Sequence, residues 1–298
     1  MLIAEIVGGL GNQLFEYANA RFLSIKLEQE LYFDLTFFNT YHIKDVFRLN
    51  YFNIPDIQTA NQVNIKKLKH KVIKPSLLRR GLRKIGVSPY YNTKYHFNNK
   101  RLDCEYQKLD KYKHLFISGY YANQSYFINI EEQIRKELTL KKSLNVENQN
   151  ILDNIKKSQS ISIHIRRGDY VDNSYFKNIP LSYYYNAIDF MNSKIEKPTY
   201  FIFSDDINWV KKNLRLDSRS IFVDVNDSST DYMELNLMAS CKNNIIANST
   251  FSWWGAWLNN NSNKIIIAPE VWYNDNFEQE KYEKGTLIPG GWNKIDIV

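Results

Sequence analysis

Residues 161–170 read ISIHIRRGDY, an apolar run that ends abruptly in charged residues and a glycine. Side chains alternate between the two faces of a strand, so we expect His164 and Arg166 on one face and Ile165 on the other. Gly168 permits a sharp turn directly afterwards. The stretch is therefore typical of a buried strand in a parallel sheet that delivers polar groups to the sheet edge.

The same pattern continues to the end of the chain. Further strand-like runs are TYFIFSDD (199–206), SIFVDVN (220–226), NNIIANS (243–249) and KIIIAP (264–269), and amphipathic helical stretches lie between them. The Ser228–Thr230 cluster is expected to cap one of these helices. Strands that alternate with helices of about 10–15 residues indicate βαβ units and a parallel sheet.

The first half begins with another such unit. A short strand, the turn GGLGNQ (8–13), a helix and a strand ending at Asp34 are predicted first. Residues 40–115 are irregular, and a strand near 114–121 and a helix near 124–138 follow. We therefore predict an α/β protein with two halves, residues 1–150 and 151–298, divided near the polar stretch 141–150.

The loop after Ile165 can bind an anion. Arginine presents a fixed fork of donors that suits bidentate binding of phosphate. The alternative is a surface ion pair between Arg167 and Asp169, which would occupy only one of the two arginines. Because ligands of open parallel sheets lie beyond the carboxyl ends of the strands, a phosphate there is the favoured interpretation.

A second anion-binding loop is predicted at ANSTFS (247–252), where a strand end leads into a helix. The unpaired N–H groups of a helix start, with hydroxyls beside them, favour an anion. The alternative is ordinary helix capping by Ser249 or Thr250. Two such loops at one sheet edge point to a diphosphate.

The turn GGLGNQ is similar to a dinucleotide fingerprint, with Asp34 about twenty residues further on. Leu14 stands where the third glycine belongs, so the signal is weak. It leaves open a second function, an NAD-dependent oxidoreductase that uses this turn.

Several classes of protein and site are not indicated. The sequence has no Asp-x-Asp pair for a metal on a diphosphate, no His pair at zinc spacing and no P-loop. Its two cysteines, Cys104 and Cys241, cannot form a disulfide framework. No secretory signal or apolar run of spanning length is visible, so the cytoplasm is the expected compartment.

Three motifs together resemble the α-1,2-fucosyltransferases of glycosyltransferase family 11. They are GGLGNQLF (8–15), HIRRGDY (164–170) and ANSTFSWW (247–254), in this order. The resemblance covers most of the chain. It implies a GT-B fold, with two Rossmann-like domains facing a central cleft, an acceptor-side domain at 1–150 and a GDP-fucose-binding domain at 151–298. It also implies GDP-β-L-fucose as donor, inversion at the anomeric carbon, and neither a metal nor a cofactor.

The resemblance suggests roles for particular residues. Arg166 would stabilise the departing diphosphate, and Asp169 is the first candidate for the base that takes the acceptor's proton. Glu16, Asp34 or no base at all are the alternatives. The other expected contacts of the nucleotide sugar are Asn12, Gln13, His164, Glu234, Asn248, Ser249, Thr250, Phe251 and Ser252.

The basic residues are concentrated in one segment. Residues 57–102 contain twelve Lys and Arg and no Asp or Glu, whereas the whole chain has a formal net charge of +7. The simpler interpretation of segment 66–101 is a solvated face of the acceptor domain. The functional one is peripheral attachment to the inner face of a membrane, or attraction to a lipid-linked acceptor that carries phosphate.

The implied acceptor is a glycan with a terminal galactose. Two further alternatives predict different partners. A nucleic-acid-binding protein would use segment 66–101, but no RRM, KH or helix-turn-helix signature supports it, and no nucleic-acid partner is expected. A carbohydrate-binding module without catalysis would need neither Arg166 nor Asp169.

Overall fold

The structure is a computed structural model, and it describes residues 1–39, 46–73, 77, 90–94, 109, 113–171, 173–216, 219–274, 279 and 287–297. The chain divides into two compact units. The first comprises Met1–Thr139 with Gly285–Leu287, and the second comprises Leu140–Lys284 with Ile288–Val298.

The first unit is built on a five-stranded parallel sheet. Its helices and strands in chain order are β1 Leu2–Glu5, α1 Leu10–Lys26, β2 Leu31–Asp34, β3 Gln58–Thr59, α2 Gln62–Ile73, β4 Tyr90–Lys94, β5 His114–Ser118 and α3 Glu131–Glu137. The strand order is β3-β2-β1-β5-β4. The predicted α/β unit at the start of the chain is therefore present, with β1 in the middle of its sheet.

The second unit holds a six-stranded parallel sheet. Its elements are α4 Val146–Lys156, β6 Gln159–Ile165, α5 Leu181–Lys194, β7 Pro198–Ser204, α6 Ile207–Asn213, β8 Ser220–Phe222, α7 Asp231–Ser240, β9 Asn243–Ile245, α8 Thr250–Trp257, β10 Ile266–Pro269 and β11 Asn293–Ile295. The order is β11-β10-β9-β6-β7-β8, so β6 is central and lies between β7 and β9.

The central strand β6 is buried on both faces, and its two faces differ in polarity. The side chains of Ile161, Ile163 and Ile165 join a core that includes the fully buried Tyr183 and Tyr184 of α5. The alternate positions Ser160, Ser162 and His164 are also buried, and Ser162 Oγ accepts a 2.7 Å hydrogen bond from Asn244 Nδ2. The strand thus carries a polar side chain, His164, to its carboxyl end without exposing it.

The structure adds or changes local elements in three places. Helix α4 begins within the polar stretch 141–150, where Asn145 Oδ1 accepts from the backbone N–H of Asn148 at 3.0 Å. The helix expected near 124–138 is divided into 3₁₀ turns at Gln124–Tyr126 and Ile128–Ile130 followed by α3. Strand β4 lies in the region that had no regular pattern.

The predicted cap of α7 is correct in position but not in chemistry. Thr230 is the N-cap residue, yet its side chain makes no capping hydrogen bond. The carboxylate of Asp227 organises the turn instead, accepting from the backbone N–H and the hydroxyl of Ser229 at 2.7 and 2.6 Å. Asp227, three positions before Thr230, thus accepts the hydrogen bonds of Ser229, while the Thr230 hydroxyl accepts one from the backbone N–H of Asp227 at 3.0 Å.

Most of the basic segment 66–101 lies outside the described residues; its described residues include the end of α2 and strand β4. Within the described part of the chain, no helix is both long and apolar enough to cross a membrane.

Candidate active site

The loop after β6 brings a guanidinium group between two carboxylates. Arg166 Nη1 lies 3.0 Å from Asp205 Oδ2, and Nη2 lies 2.5 Å from Asp169 Oδ1. Arg166 Nε is buried and has no hydrogen-bond partner in the described structure. Burial alone would lower the pKa of Arg166, but the charges of Asp205 and Asp169 outweigh it and raise the pKa. The guanidinium is therefore always charged, and its Nε–H has no acceptor among the described residues.

Asp205 reaches this loop from the next strand. The parallel register pairs Ile165 of β6 with Ser204 of β7, so the residues that follow both strands are neighbours. Asp205 Oδ1 accepts a 2.8 Å hydrogen bond from the backbone N–H of Arg167, and a methyl group on Gly168 would overlap Oδ2. Sequence reasoning did not include Asp205 in the site, although its position after a strand end was a usable signal.

The second arginine of the motif has a different environment. The Arg167 guanidinium lies 3.4 Å from the centre of the Trp209 ring, and its Nε is 3.5 Å from Asp206 Oδ2. The predicted alternative pair of Arg167 with Asp169 is therefore wrong, since Asp169 pairs with Arg166. Arg167 is directed instead to the first turn of α6, where the indole provides a cation–π contact.

His164 lies beneath the loop as a neutral ring. It is 4% exposed, and its ring centre is 5.5 Å from that of Phe251 in α8. Burial, assisted by the charge of Arg166, lowers the pKa of His164 to about 3. Its Nδ1 has no partner among the described residues. The imidazole therefore contributes hydrogen-bonding capacity and no charge at neutral pH.

The loop between β9 and α8 is held by its own amide side chain. Asn248 Nδ2 donates to the carbonyls of Lys177 and Trp272 at 2.8 and 2.9 Å, while its buried Oδ1 finds no partner in the described ranges. Ser249 occupies the N-cap position of α8 without a side-chain capping bond. Ordinary capping by the Ser249 hydroxyl is thus not what the structure shows.

The first turn of α8 offers backbone donors. The first helical hydrogen bond after the cap runs from Trp253 N to Ser249 O at 2.9 Å. The N–H groups of Thr250, Phe251 and Ser252 precede it, as at any helix start. Ser252 is buried, and its hydroxyl donates to Ala247 O and Ser249 O at 3.3 and 3.2 Å, which fixes the turn.

Glu234 lies in the first turn of α7 and is only partly exposed. Burial is the largest cause that raises its pKa to about 8, and the charges of Asp231, Asp205 and Asp227 raise it further. The carboxyl group is therefore poised between its two protonation states near neutral pH.

The candidate residues of the first unit follow its first strand. Gln13 is fully buried: its Nε2 donates to Gly8 O and Val46 O at 2.8 and 2.9 Å, and its Oε1 accepts from Arg48 N at 2.9 Å. Asn12 lies close to Gly8, whose φ of +73° is strained for other residues. The amide of Gln13 thus holds the glycine turn.

The alternative bases Glu16 and Asp34 are both buried inside the first unit. Glu16 Oε2 accepts from Val7 N at 2.9 Å, and burial raises the pKa of Glu16 well above its usual value. Asp34 Oδ1 accepts from the backbone N–H and hydroxyl of Thr36 at 3.0 and 2.6 Å. Both carboxyl groups therefore have local structural partners.

Taken together, the second unit gathers His164, Arg166, Asp169, Glu234 and the 248–252 loop at the carboxyl edge of one sheet. This edge carries a charged guanidinium, a helix start and three buried polar atoms without partners among the described residues. It can therefore bind an anionic, hydrogen-bonding ligand. Among the described residues, no group of three or more His, Cys, Asp or Glu side chains is arranged to hold a metal ion.

Comparison with known proteins gives one family. The family model "Glycosyl transferase family 11" matches residues 1–296. An "Alpha-1,2-colitosyltransferase" of Escherichia coli is 33% identical over 301 residues, covering 99% of both chains. A human "Galactoside alpha-(1,2)-fucosyltransferase 1" is 26% identical over 156 residues, covering 48% of this chain and 43% of that one.

The fold is shared with a solved fucosyltransferase structure. The GDP complex of the R284K mutant of Arabidopsis thaliana FUT1 superposes with a TM-score of 0.55 over 89% of this chain and 69% of that chain, at 10% sequence identity. Two α/β units with parallel sheets and this likeness identify the GT-B type of fold that the sequence motifs implied.

Proposed function

The chain belongs to glycosyltransferase family 11, and from this membership we propose that it is an α-1,2-fucosyltransferase. It would move L-fucose from GDP-β-L-fucose to the 2-hydroxyl of a terminal galactoside, with inversion and without a metal ion. The observation that carries the proposal is the Arg166 guanidinium at the sheet edge, charged and with Nε unpartnered. The oxidoreductase alternative has no support from the comparisons.

In this proposal the diphosphate of the donor lies between Arg166 and the start of α8. As the bond to fucose breaks, negative charge grows on the diphosphate and positive charge on the sugar. Arg166 and the backbone N–H groups near Thr250 are fixed before the reaction, so they stabilise this charge without reorganising. They would take the role that a metal ion has in enzymes with a carboxylate pair.

Glu234 and His164 would bind the guanosine. A carboxylate can accept hydrogen bonds from both N1–H and the amino group of guanine, which adenine does not present in that arrangement. The buried ring of His164 has an unpartnered Nδ1 for the nucleoside. Donor binding is therefore assigned to the second unit, and acceptor binding to the first.

Binding of guanine by Glu234 predicts a pH dependence. The ligand needs the ionised carboxylate, and the pKa of Glu234 in the free protein is about 8. GDP affinity should therefore rise about eightfold between pH 7 and pH 8.5, because less proton release is needed at the higher pH. Calorimetry across this range checks it.

The Glu234→Gln variant should bind GDP more weakly and without this pH dependence. The control is Glu196→Gln, since the Glu196 side chain is 90% exposed. An unchanged pH profile in Glu234→Gln would refute the assignment of Glu234 to guanine.

The acceptor hydroxyl must lose its proton as it attacks the anomeric carbon from the face opposite GDP, and one carboxylate suffices for this. Asp169 is the proposed base. Its side chain is 64% exposed beside the proposed diphosphate site, whereas Glu16 and Asp34 are buried. The acceptor would be a galactose-containing glycan, and a lipid-linked form would add phosphate that segment 66–101 could attract.

Colitosyl transfer is a second candidate, favoured by the 33% identity to the colitosyltransferase. Colitose is L-fucose without the 3-hydroxyl group. A site that hydrogen-bonds this hydroxyl rejects the analogue that lacks it, because its own polar group is left unpaired. We expect kcat/KM for GDP-fucose to exceed that for GDP-colitose by at least about tenfold. Equal or better use of GDP-colitose would favour the second candidate.

The proposal is tested by GDP release from GDP-fucose, measured in EDTA with and without lactose. Lactose-dependent release, with a product that is fucosylated at the galactose 2-hydroxyl, is the expected result. GDP binding without release from any galactoside would overturn the assigned acceptor. Absence of GDP binding would overturn the donor site.

A further inference from the structure

This inference rests on the proposed function, because it concerns how Arg166 receives the diphosphate. We propose that Asp205 is a positioning residue that stays on Arg166 throughout, whereas Asp169 is an exchangeable partner that the diphosphate displaces. The two carboxylates of the ion-paired cluster would thus have different roles in donor binding.

The two carboxylates occupy different parts of the guanidinium. Asp205 lies at Nη1 and Asp169 at Nη2. Nε and Nη2 together form the side edge of a guanidinium, the edge that binds two phosphate oxygens in parallel. Nε is buried and has no partner within the described structure, and Nη2, the other nitrogen of this edge, is held by Asp169. A diphosphate that binds through both nitrogens therefore competes with Asp169 for Nη2 but not with Asp205 at Nη1.

The structure also holds Asp205 more firmly than Asp169. Asp205 is 24% exposed, and both of its oxygens are engaged, one by Arg166 and one by the backbone N–H of Arg167. Its Oδ2 also lies where a Cβ on Gly168 would be, so a side chain at this position would have to push the Asp205 carboxylate aside. Asp169 is 64% exposed on a short 3₁₀ turn, and the described structure records one hydrogen bond to its carboxylate, from Arg166. Solvent screening makes such an exposed pair easy to break.

This exchange of partners on Arg166 would determine the order in which donor and acceptor bind. Without donor, Asp169 neutralises the edge of Arg166 that faces the ligand. When the diphosphate takes its place, the Asp169 carboxylate leaves Arg166, and only then can it turn to the face of the sugar opposite GDP, where the proposed reaction needs a base. Donor binding would then prepare the site for the acceptor, and the donor would bind first.

The experiment measures GDP affinity by calorimetry for three isosteric variants. Asp205→Asn should weaken GDP binding about tenfold, because Arg166 loses its fixed partner. Asp169→Asn should leave the affinity unchanged or raise it a few-fold, because a competitor is removed. Asp224→Asn is the matched control, since Asp224 follows the neighbouring strand β8 and pairs with Lys211; it should change the affinity less than twofold.

A double-variant cycle separates an effect through Arg166 from a general structural one. In an Arg166→Ala background, Asp205→Asn should cost no further affinity. Gly168→Ala, which pushes the Asp205 carboxylate aside without removing its charge, should weaken GDP binding in the same direction as Asp205→Asn. Thermal unfolding of each variant checks that the fold is retained.

Equal losses in Asp169→Asn and Asp205→Asn would overturn the proposal, as would additive effects of Asp205→Asn and Arg166→Ala. A loss in Asp205→Asn no larger than in Asp224→Asn would overturn it too. In all these cases the proposed function stands if Arg166→Ala still weakens GDP binding. If Arg166→Ala leaves GDP binding intact, the donor site itself is refuted.

Discussion

Replacing Arg166 by alanine is expected to lower kcat for sugar transfer by at least about 100-fold. The guanidinium would bear the charge that develops on the leaving diphosphate, and the neighbouring Arg167 cannot take its position, because it is held on Trp209 and by Asp206. Removing it also leaves Asp205 without its cationic partner at the site. Steady-state GDP release and single-turnover transfer, both in EDTA, measure the effect.

The matched control for this variant is Arg215→Ala. Arg215 is an exposed arginine of the same unit, and its Nη1 donates to Lys211 O at 3.1 Å. It should retain wild-type kcat within about twofold, as for most exposed surface substitutions. If Arg166→Ala kept more than about a tenth of wild-type kcat, Arg166 could not be the main stabiliser of the diphosphate.

The second large effect is expected on stability, at Glu137. This buried carboxylate joins α3 to α1: it accepts hydrogen bonds from the Tyr17 hydroxyl, from Arg21 Nε at 3.0 Å and from Gln133 Nε2 at 2.9 Å. The Glu137 side chain is 9% exposed and that of Arg21 is 20% exposed. Glu137→Ala leaves a largely buried cation and a buried hydroxyl without their acceptor, so the free energy of unfolding should fall by about 3 kcal/mol.

Urea unfolding, together with the midpoint of thermal unfolding, measures this loss. The free energy of unfolding should fall less in Glu137→Gln than in Glu137→Ala, since the amide oxygen still accepts from one donor. Glu131→Gln is the control on the same helix: Glu131 pairs with Arg135 but is 37% exposed, and its loss should cost less than about 0.5 kcal/mol. Equal losses at Glu131 and Glu137 would show that the buried cluster does not stabilise the unit.

Much of the second unit could be predicted from the sequence, because the hydrophobic pattern of each segment agrees with the strand or helix that the segment forms in the packed unit. The apolar runs from 161 to 269 and the helical stretches between them gave the strands and helices of a parallel sheet in the right order. Polar loops after β6 and β9 were expected at one edge, and the structure brings them together there, with the ring centre of His164 5.5 Å from that of Phe251. In the first unit, strand β4 was not predicted, because the hydrophobic residues of 40–115 show no clear periodicity.

The partners within the site could not be predicted. The only ion pair considered from the sequence, as the alternative to a bound phosphate, joined Arg167 and Asp169, but the structure pairs Arg166 with Asp169 and with Asp205, 39 residues further along the chain. Gln13 was expected to face the donor, but its amide is fully used by the backbone of Gly8, Val46 and Arg48. Such choices depend on which loops become neighbours and on the direction in which each side chain leaves its loop.

The sequence by itself therefore determined the class of fold and indicated the region of the candidate site. The periodicity of hydrophobic residues and the polar residues at strand ends are local properties, which do not depend on how the strands pack. Only the tertiary structure decided the electrostatics. The order β9-β6-β7 brings Asp205 to Arg166, and burial among Asp205, Asp227 and Asp231 raises the pKa of Glu234. Charge interactions depend on distance and on exclusion of water, and both are fixed only when segments far apart in sequence pack together.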